Sequence, residues 1–376
     1  MKKTGFSMLA SLLLASGTFA QRTIVVTNST DTDRKGEIVE VQLAALKASF
    51  DTKSYVLKNS QQKEVAYQLI KNGNSKALSL IFQAYVKAKA SSTYSLVAGK
   101  PAAVKQKTSA RFVPERKDDF AWENDMAAYR MYGPALANEN PSNGVDFWSK
   151  CTDELVVDQR YKDDIYNEIS YHIDHGKGLD FYKVAHTLGC GGIAPFAAGK
   201  LWVGNYFNRY KVIETGPLRS VFTLVYDSVK VDDSYYKEEI TITADAGSLL
   251  NKAVLKYTGA DKKLELAAGI FLHDGLGVVK QNTTLGTLAY AENAVSDAKV
   301  PSGRNYVGVF IPVKVNEVRK DADHALILAN YKAGDSFTYY FGGGWSKWHY
   351  STDAEWFNAV NKFAATTKTP LKVTLK

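Results

Sequence analysis

The chain has little of what marks several common functions. Only two cysteines occur in 376 residues, Cys151 and Cys190, and their positions do not make a zinc-type spacing. In an oxidising compartment they could pair, or they could remain as two buried thiols. The run Gly189-Cys190-Gly191-Gly192 lacks the Lys-Ser/Thr ending of a phosphate loop, and no dinucleotide fingerprint occurs, so no nucleotide site is expected. Lysine and arginine exceed the acids by a net charge of +8, but no run of five or six basic residues appears. A charge spread this thinly reads as a solvated surface, and nucleic acid is not an expected partner. Helical periodicity is scarce and no internal repeat is present.

The first twenty residues read as a leader. Lys2 and Lys3 precede a short apolar stretch over residues 6–15, and Thr18-Phe19-Ala20 ends in small residues suited to cleavage. That apolar stretch is too short to span a bilayer, and no cysteine stands near the cleavage point to carry a lipid. The expectation is an exported protein, periplasmic or secreted, without a membrane anchor. Removing Lys2 and Lys3 lowers the charge of +8 to +6.

What is abundant is aromatic: 22 tyrosines and 6 tryptophans. A ring face stacks on sugar C–H groups while a phenol meets sugar hydroxyls, but tyrosine also suits strands for packing alone. Strand-like runs follow at residues 23–27, 36–43, 54–57, 64–70, 77–86 and 93–97, separated by turns such as Lys71-Asn72-Gly73-Asn74. The near-continuous apolar run over 79–86 suits a central strand. A polar linker then covers residues 99–109, and further strand runs recur at 211–214, 219–225, 239–244, 264–272, 306–313, 325–328 and 337–341. One helix is predicted over 352–363, with Trp356, Val360 and Phe363 at helical spacing and Ser351 or Thr352 as its cap. The pattern predicts an all-β chain with few helices. A small Ig-like sandwich spans residues 21–105 and a large stacked sandwich spans 106–376.

The polar chemistry is crowded between residues 120 and 192. If 124–132 is one strand, period two puts Asn124, Arg130 and Tyr132 on one face. Arg130 could fork a ligand carboxylate there, or pair internally with Glu123 or Asp125. In Tyr171-His172-Ile173-Asp174-His175, a strand would put His172 beside Asp174, whereas a helical turn would bring His172 and His175 together as ligands for a divalent metal such as zinc. A third ligand would come from Glu123, Asp180, His186 or His349. Cys190 reads as an inert thiol rather than a nucleophile. Tyr339 to Tyr350 hold Gly342-Gly343-Gly344-Trp345-Ser346-Lys347, in which the glycines predict a loop. Trp345 and Lys347 there read either as a sugar platform with an anion partner or as an aromatic plug. His273, at the end of an apolar strand, is either structural or faces the same cleft.

Together, Asp119-Phe120-Ala121-Trp122-Glu123-Asn124-Asp125, Arg130-Met131-Tyr132-Gly133-Pro134, the stretch from Tyr171-His172 to Gly192, and Gly216-Pro217-Leu218-Arg219 resemble domain-of-unknown-function family 4861. These are exported bacterial proteins that occur beside polysaccharide-degrading genes. The resemblance covers almost the whole mature chain. It implies an N-terminal sandwich followed by a large mutarotase-like β-supersandwich, and a role in breaking down glycans that contain uronic acids, where some relatives eliminate water or sugar. Fold alone does not license that function. The expected activity is that of a lyase or dehydratase acting on an acidic oligosaccharide. Arg130 with Asn124 would neutralise the uronate, His172 or His175 would be the base, Tyr171 or Tyr132 the acid, and Trp345 with Lys347 would hold a neighbouring sugar. A metal on the histidines could replace the arginine. Arg130→Ala should then remove turnover and leave the fold intact. Two other readings stand beside it: a hydrolase drawing paired carboxylates from Glu123, Asp125, Asp174 and Asp180, and a non-catalytic glycan-binding protein.

Overall fold

The computed structural model describes residues 22–46, 54–139, 142–260, 263–273, 275–295 and 300–376. The leader expected at residues 1–20 lies outside the described residues. The chain is built mainly of β-strands arranged in several sheets, as its alternating runs predict.

The N-terminal strands form a five-stranded sheet facing a three-stranded one. Strand Ser79–Val86 is the centre of the smaller sheet, and its unbroken apolar run serves two cores. Leu80, Phe82 and Ala84 pack inside the sandwich, while Ile81 turns outward onto Leu218 and Ala246 of the large unit. The C-terminal strand Lys372–Leu375 returns to pair antiparallel with Arg22–Thr27. The boundary expected near residue 105 leaves that strand out, because a four-residue strand at the chain's end shows too little pattern to reveal its partner.

The large unit stacks a five-stranded sheet on an eight-stranded one. Arg219–Val231 and Ser234–Asp245 supply its longest hairpin, with buried positions at every second residue over most of its length. Helix Asp353–Lys368 lies on the outer face of the eight-stranded sheet. Thr352 and Glu355 close a capping box at its start, as the spacing predicts. Trp356 and Val360 reach the sheet where it carries Gly344 and Gly308. A Cβ at Gly344 would lie 2.8 Å from Trp356 Cζ3, so Gly308 in strand Pro301–Phe310 and Gly344 in strand Phe337–Trp345 admit the helix, and the expected loop over 342–344 is a regular strand. No helix among the described residues is long and apolar enough to cross a membrane.

A four-stranded sheet covers one end of this sandwich. In it the expected single strand over 124–132 is two strands, Asp119–Asn124 and Ala128–Met131, joined by a tight turn. Asn124 makes that turn: its Oδ1 accepts from the amides of Met126 and Ala127. A second helix, Val157–Asn167, was not expected from the sequence. Its first amides are held by the buried carboxylate of Glu123, which replaces a local cap.

Candidate functional site

The hairpin brings Arg130 into a closed nest. Its Nε donates to Asp146 Oδ2 at 2.8 Å, Nη2 to Asp180 Oδ2 at 3.1 Å, and Nη1 to the Tyr171 hydroxyl at 3.2 Å. Asp119 adds a third carboxylate at 3.5 Å. The rings of Tyr132, Trp148 and Tyr171 surround the guanidinium at 5.2, 5.1 and 5.8 Å. Burial works against the charge, but Asp146 and Asp119 outweigh it and the pKa of Arg130 is raised. Burial also pushes Asp119 up to about 6 and Asp180 well above the carboxylate range, the latter helped by Asp146. Arg130 therefore pairs internally, with partners other than Glu123 and Asp125, and the guanidinium does not face a ligand. Glu123 instead pairs with Lys150 at 2.9 Å, and Asp125 takes the Gly247 amide.

The other expected residues fall in three places. Tyr132 and Tyr171 do meet Arg130, and His172 stands beside its partners Tyr171 and Asp180. His172 Nδ1 lies 2.8 Å from the Asp180 carbonyl oxygen, and His175 Nε2 lies 3.0 Å from the Ser170 carbonyl, both on an irregular turn. Among the described residues no group of three His, Cys, Asp or Glu side chains is placed to hold a metal, and the two imidazoles of His172 and His175 face separate backbone carbonyls. Asn124 lies apart, its amide nitrogen donating to the carbonyls of Asp245 and Ser248, and is not positioned as a ligand group. Trp345 is buried, with its indole N–H given to the Ser302 carbonyl, and Lys347 lies 4.9 Å over its ring. Trp345 is thus a plug, as large aromatics mostly are, and not an open platform. Cys151 and Cys190 are free thiols, and burial raises Cys190 well above the ordinary thiol range, which leaves it inert.

The segment that carries Asp180 has a second face. Asp180 turns to Arg130, Phe181 packs toward Trp345, and Tyr182 stands edge-on to His273, ring centroids 4.7 Å apart. His273 Nδ1 lies 2.8 Å from Glu292 Oε1, and its Nε2 lies 2.7 Å from the Lys183 carbonyl. Glu292 also accepts from Asn305 Nδ2 at 3.0 Å. Glu292, Asn305 and Trp345 face one another across three adjacent strands, Thr287–Val295, Pro301–Phe310 and Phe337–Trp345, so they form one row on the inner face of the eight-stranded sheet. The His273 side chain is 25% exposed while Glu292 is 6% exposed, which makes the imidazole the open end of a buried dyad. The Tyr182 hydroxyl is buried and finds no hydrogen-bond partner among the described residues. Burial and the neighbouring Cys190 and Glu292 raise its pKa well above the usual phenol range, so it stays a proton donor at neutral pH.

This cluster combines an oriented imidazole, a buried carboxylate that orients it, an amide and an uncommitted phenol. Such a set can take up and deliver protons at a substrate, and it includes no activated thiol or hydroxyl nucleophile. His273 was one of two readings in the sequence; Tyr182, Glu292 and Asn305 were not foreseen. Glu292 had a signal, a lone carboxylate inside the apolar run Leu288-Ala289-Tyr290-Ala291-Glu292-Asn293-Ala294. Tyr182 had none among 22 tyrosines.

Comparisons place the chain among known sequences and folds. It is 31% identical over 277 residues to uncharacterized protein P7 of Formosa agariphila, covering 71% of this chain and 69% of that one. A solved structure of a glycosyl hydrolase family 38 protein from Enterococcus faecalis matches 95% of this chain and 47% of its own, with TM-score 0.51 and 9% identity. An alpha-mannosidase from E. faecalis V583 matches 95% and 46%, with TM-score 0.49 and 11% identity. The chain spans about half the length of these two solved proteins, and the structural likeness to the first shows a shared β-rich fold only. The family profile described as domain of unknown function DUF4861 matches residues 26–373, and the chain belongs to that family.

Proposed function

We propose that the protein is a carbohydrate-active enzyme that works by elimination next to a uronate. One observation carries the reading: the partly exposed His273 is held by Glu292 at 2.8 Å and flanked by Tyr182, whose hydroxyl has no hydrogen-bond partner among the described residues. In the reaction, His273 acts as the neutral imidazole. Nδ1–H stays on Glu292, Nε2 turns away from the Lys183 carbonyl after releasing its proton to solvent, and its lone pair takes the proton at C5. The C4–O bond breaks, a C4=C5 double bond forms, and Tyr182 protonates the departing oxygen. Glu292 steadies the imidazolium, and the Asn305 amide lies beside that carboxylate. The departing group is water in a dehydratase and a sugar in a lyase.

The likeness to a family 38 glycosyl hydrolase supports a carbohydrate setting only as analogy, since the match is one of fold. A hydrolase reading draws less support. Glu123 and Asp125 are taken by Lys150 and the Gly247 amide, and Asp180 is buried against Arg130. Mass spectrometry of uronate oligosaccharides incubated with the protein tests the reading. A product with a new double bond at the uronate supports elimination, and a saturated product one water heavier overturns it.

A further inference from the structure

A cleft of about 510 Å³ runs between the N-terminal sandwich, the outer face of the eight-stranded sheet and helix Asp353–Lys368. That size lies within the roughly 300–1,000 Å³ common for small-ligand sites. It is far in kind from the cluster at His273, because it opens on the opposite face of the same sheet. Thr243, Lys252 and Tyr340 form a row across its floor, each paired to the next on a neighbouring strand, and the buried Phe310 continues the row beneath the helix. Tyr340 is half-buried, stacked on Phe310 at 5.3 Å and met edge-on by Phe363 at 5.5 Å.

The charges in this cleft do not balance. Its acids are all engaged: Asp33 with Lys87, Glu37 with Arg34, and Asp245 with both arms of Arg219. Its lysines, Lys35, Lys252 and Lys362, are exposed and form no ion pair among the described residues. Arg34, 3% exposed, adds a second sign. Its two terminal nitrogens hold Glu37 and the carbonyls of Thr366 and Thr369 at the helix end, yet its buried Nε has no partner among the described residues. A buried N–H of this kind costs stability unless something supplies an acceptor.

We propose that this cleft is a second carbohydrate site, which takes a short anionic glycan segment. The Tyr340 ring supplies a face for sugar C–H groups, and Lys252 on the floor with Lys35 and Lys362, which form no ion pair among the described residues, meet carboxylate or sulfate groups. The inference concerns binding only and stands whether or not the chemistry at His273 is the one proposed.

Titration calorimetry with the whole protein tests it, using an oligogalacturonate, a sulfated galactan oligosaccharide and a neutral cello-oligosaccharide of equal length. At least one anionic probe is expected to bind, more weakly as salt is added, and the neutral one is not. Which anionic probe binds tells carboxylate from sulfate recognition. The double variant Lys252→Glu/Lys362→Glu should weaken binding at least tenfold, and Tyr340→Ala severalfold. His273→Ala should bind as the wild type does, even where turnover is lost, which separates this site from the reacting one. Circular dichroism checks that the charge variants are folded. Equal binding of the neutral probe, wild-type affinity in the folded lysine double variant, or no binding of either anionic probe overturns the proposal.

Discussion

Nδ1 of His273 stands 2.8 Å from Oε1 of Glu292, although the two residues come from different sheets of the large sandwich. His273 follows the end of strand Lys263–Phe271, and Glu292 sits on the inner face of Thr287–Val295. Glu292→Gln keeps the shape and an acceptor for Asn305 but removes the charge that holds the imidazole. Turnover of a uronate oligosaccharide should fall by roughly 10²–10⁴, the usual range for a disabled acid–base group. A thermal melt should move little by comparison. Full turnover in this variant would remove the dyad from the mechanism.

Tyr182→Phe separates function from packing. The hydroxyl is buried without a hydrogen-bond partner among the described residues, so deleting it should leave stability unchanged or raise it by about 1 kcal/mol. Turnover should nevertheless drop, because the proposed reaction takes the proton for the leaving oxygen from this phenol. An active, equally stable variant would show that the phenol is only a filler of the core.

Arg130 behaves differently. Residue type alone predicts that Arg130→Ala removes most turnover with the fold intact. Its guanidinium is the shared counter-charge of Asp119, Asp146 and Asp180, and removing it leaves three buried carboxyls of which only Asp119 keeps an ion-pair partner among the described residues other than a histidine, Arg116. The loss should be about 3–5 kcal/mol. Urea denaturation would report it as a lower midpoint, and a wild-type midpoint would contradict the nest described above.

The strands and the terminal helix were legible because their signals are local. Alternation marks Arg219–Val231, and Thr352 with Glu355 marks the start of the helix. The site was less so, for a physical reason. Asn124, Arg130 and Trp345 look like ligand groups by residue type, yet each has its polar atoms satisfied by residues far along the chain. Whether an arginine faces a ligand or a nest of aspartates depends on contacts such as that between Arg130 and Asp180, which no spacing encodes. The helix Val157–Asn167 escaped for the same reason, since its cap is Glu123 from another element. His273 could be suspected from its place after an apolar strand, but the Glu292 that gives it a role lies in a different sheet.

Glu238 gives a pH dependence whose sign can be worked out. It is buried on the inner face of strand Ser234–Asp245, and among the described residues its carboxyl is hydrogen-bonded by the Tyr257 hydroxyl alone, at 2.8 Å. Burial raises its pKa from 4.5 to about 7, against a smaller lowering by that hydrogen bond. A carboxyl with a raised folded-state pKa binds its proton more tightly when folded. Its contribution is therefore full below the unfolded pKa and is lost as pH rises through about 7. Glu238→Gln retains an acceptor for Tyr257 and has no charge to bury. The variant and the wild type should be equally stable near pH 4, and at pH 8 the variant should be more stable by about 2–3 kcal/mol. Thermal melts of both proteins across that range would check it. Parallel curves would mean that Glu238 titrates in the fold as it does in water, and that the inner face of the sheet admits solvent.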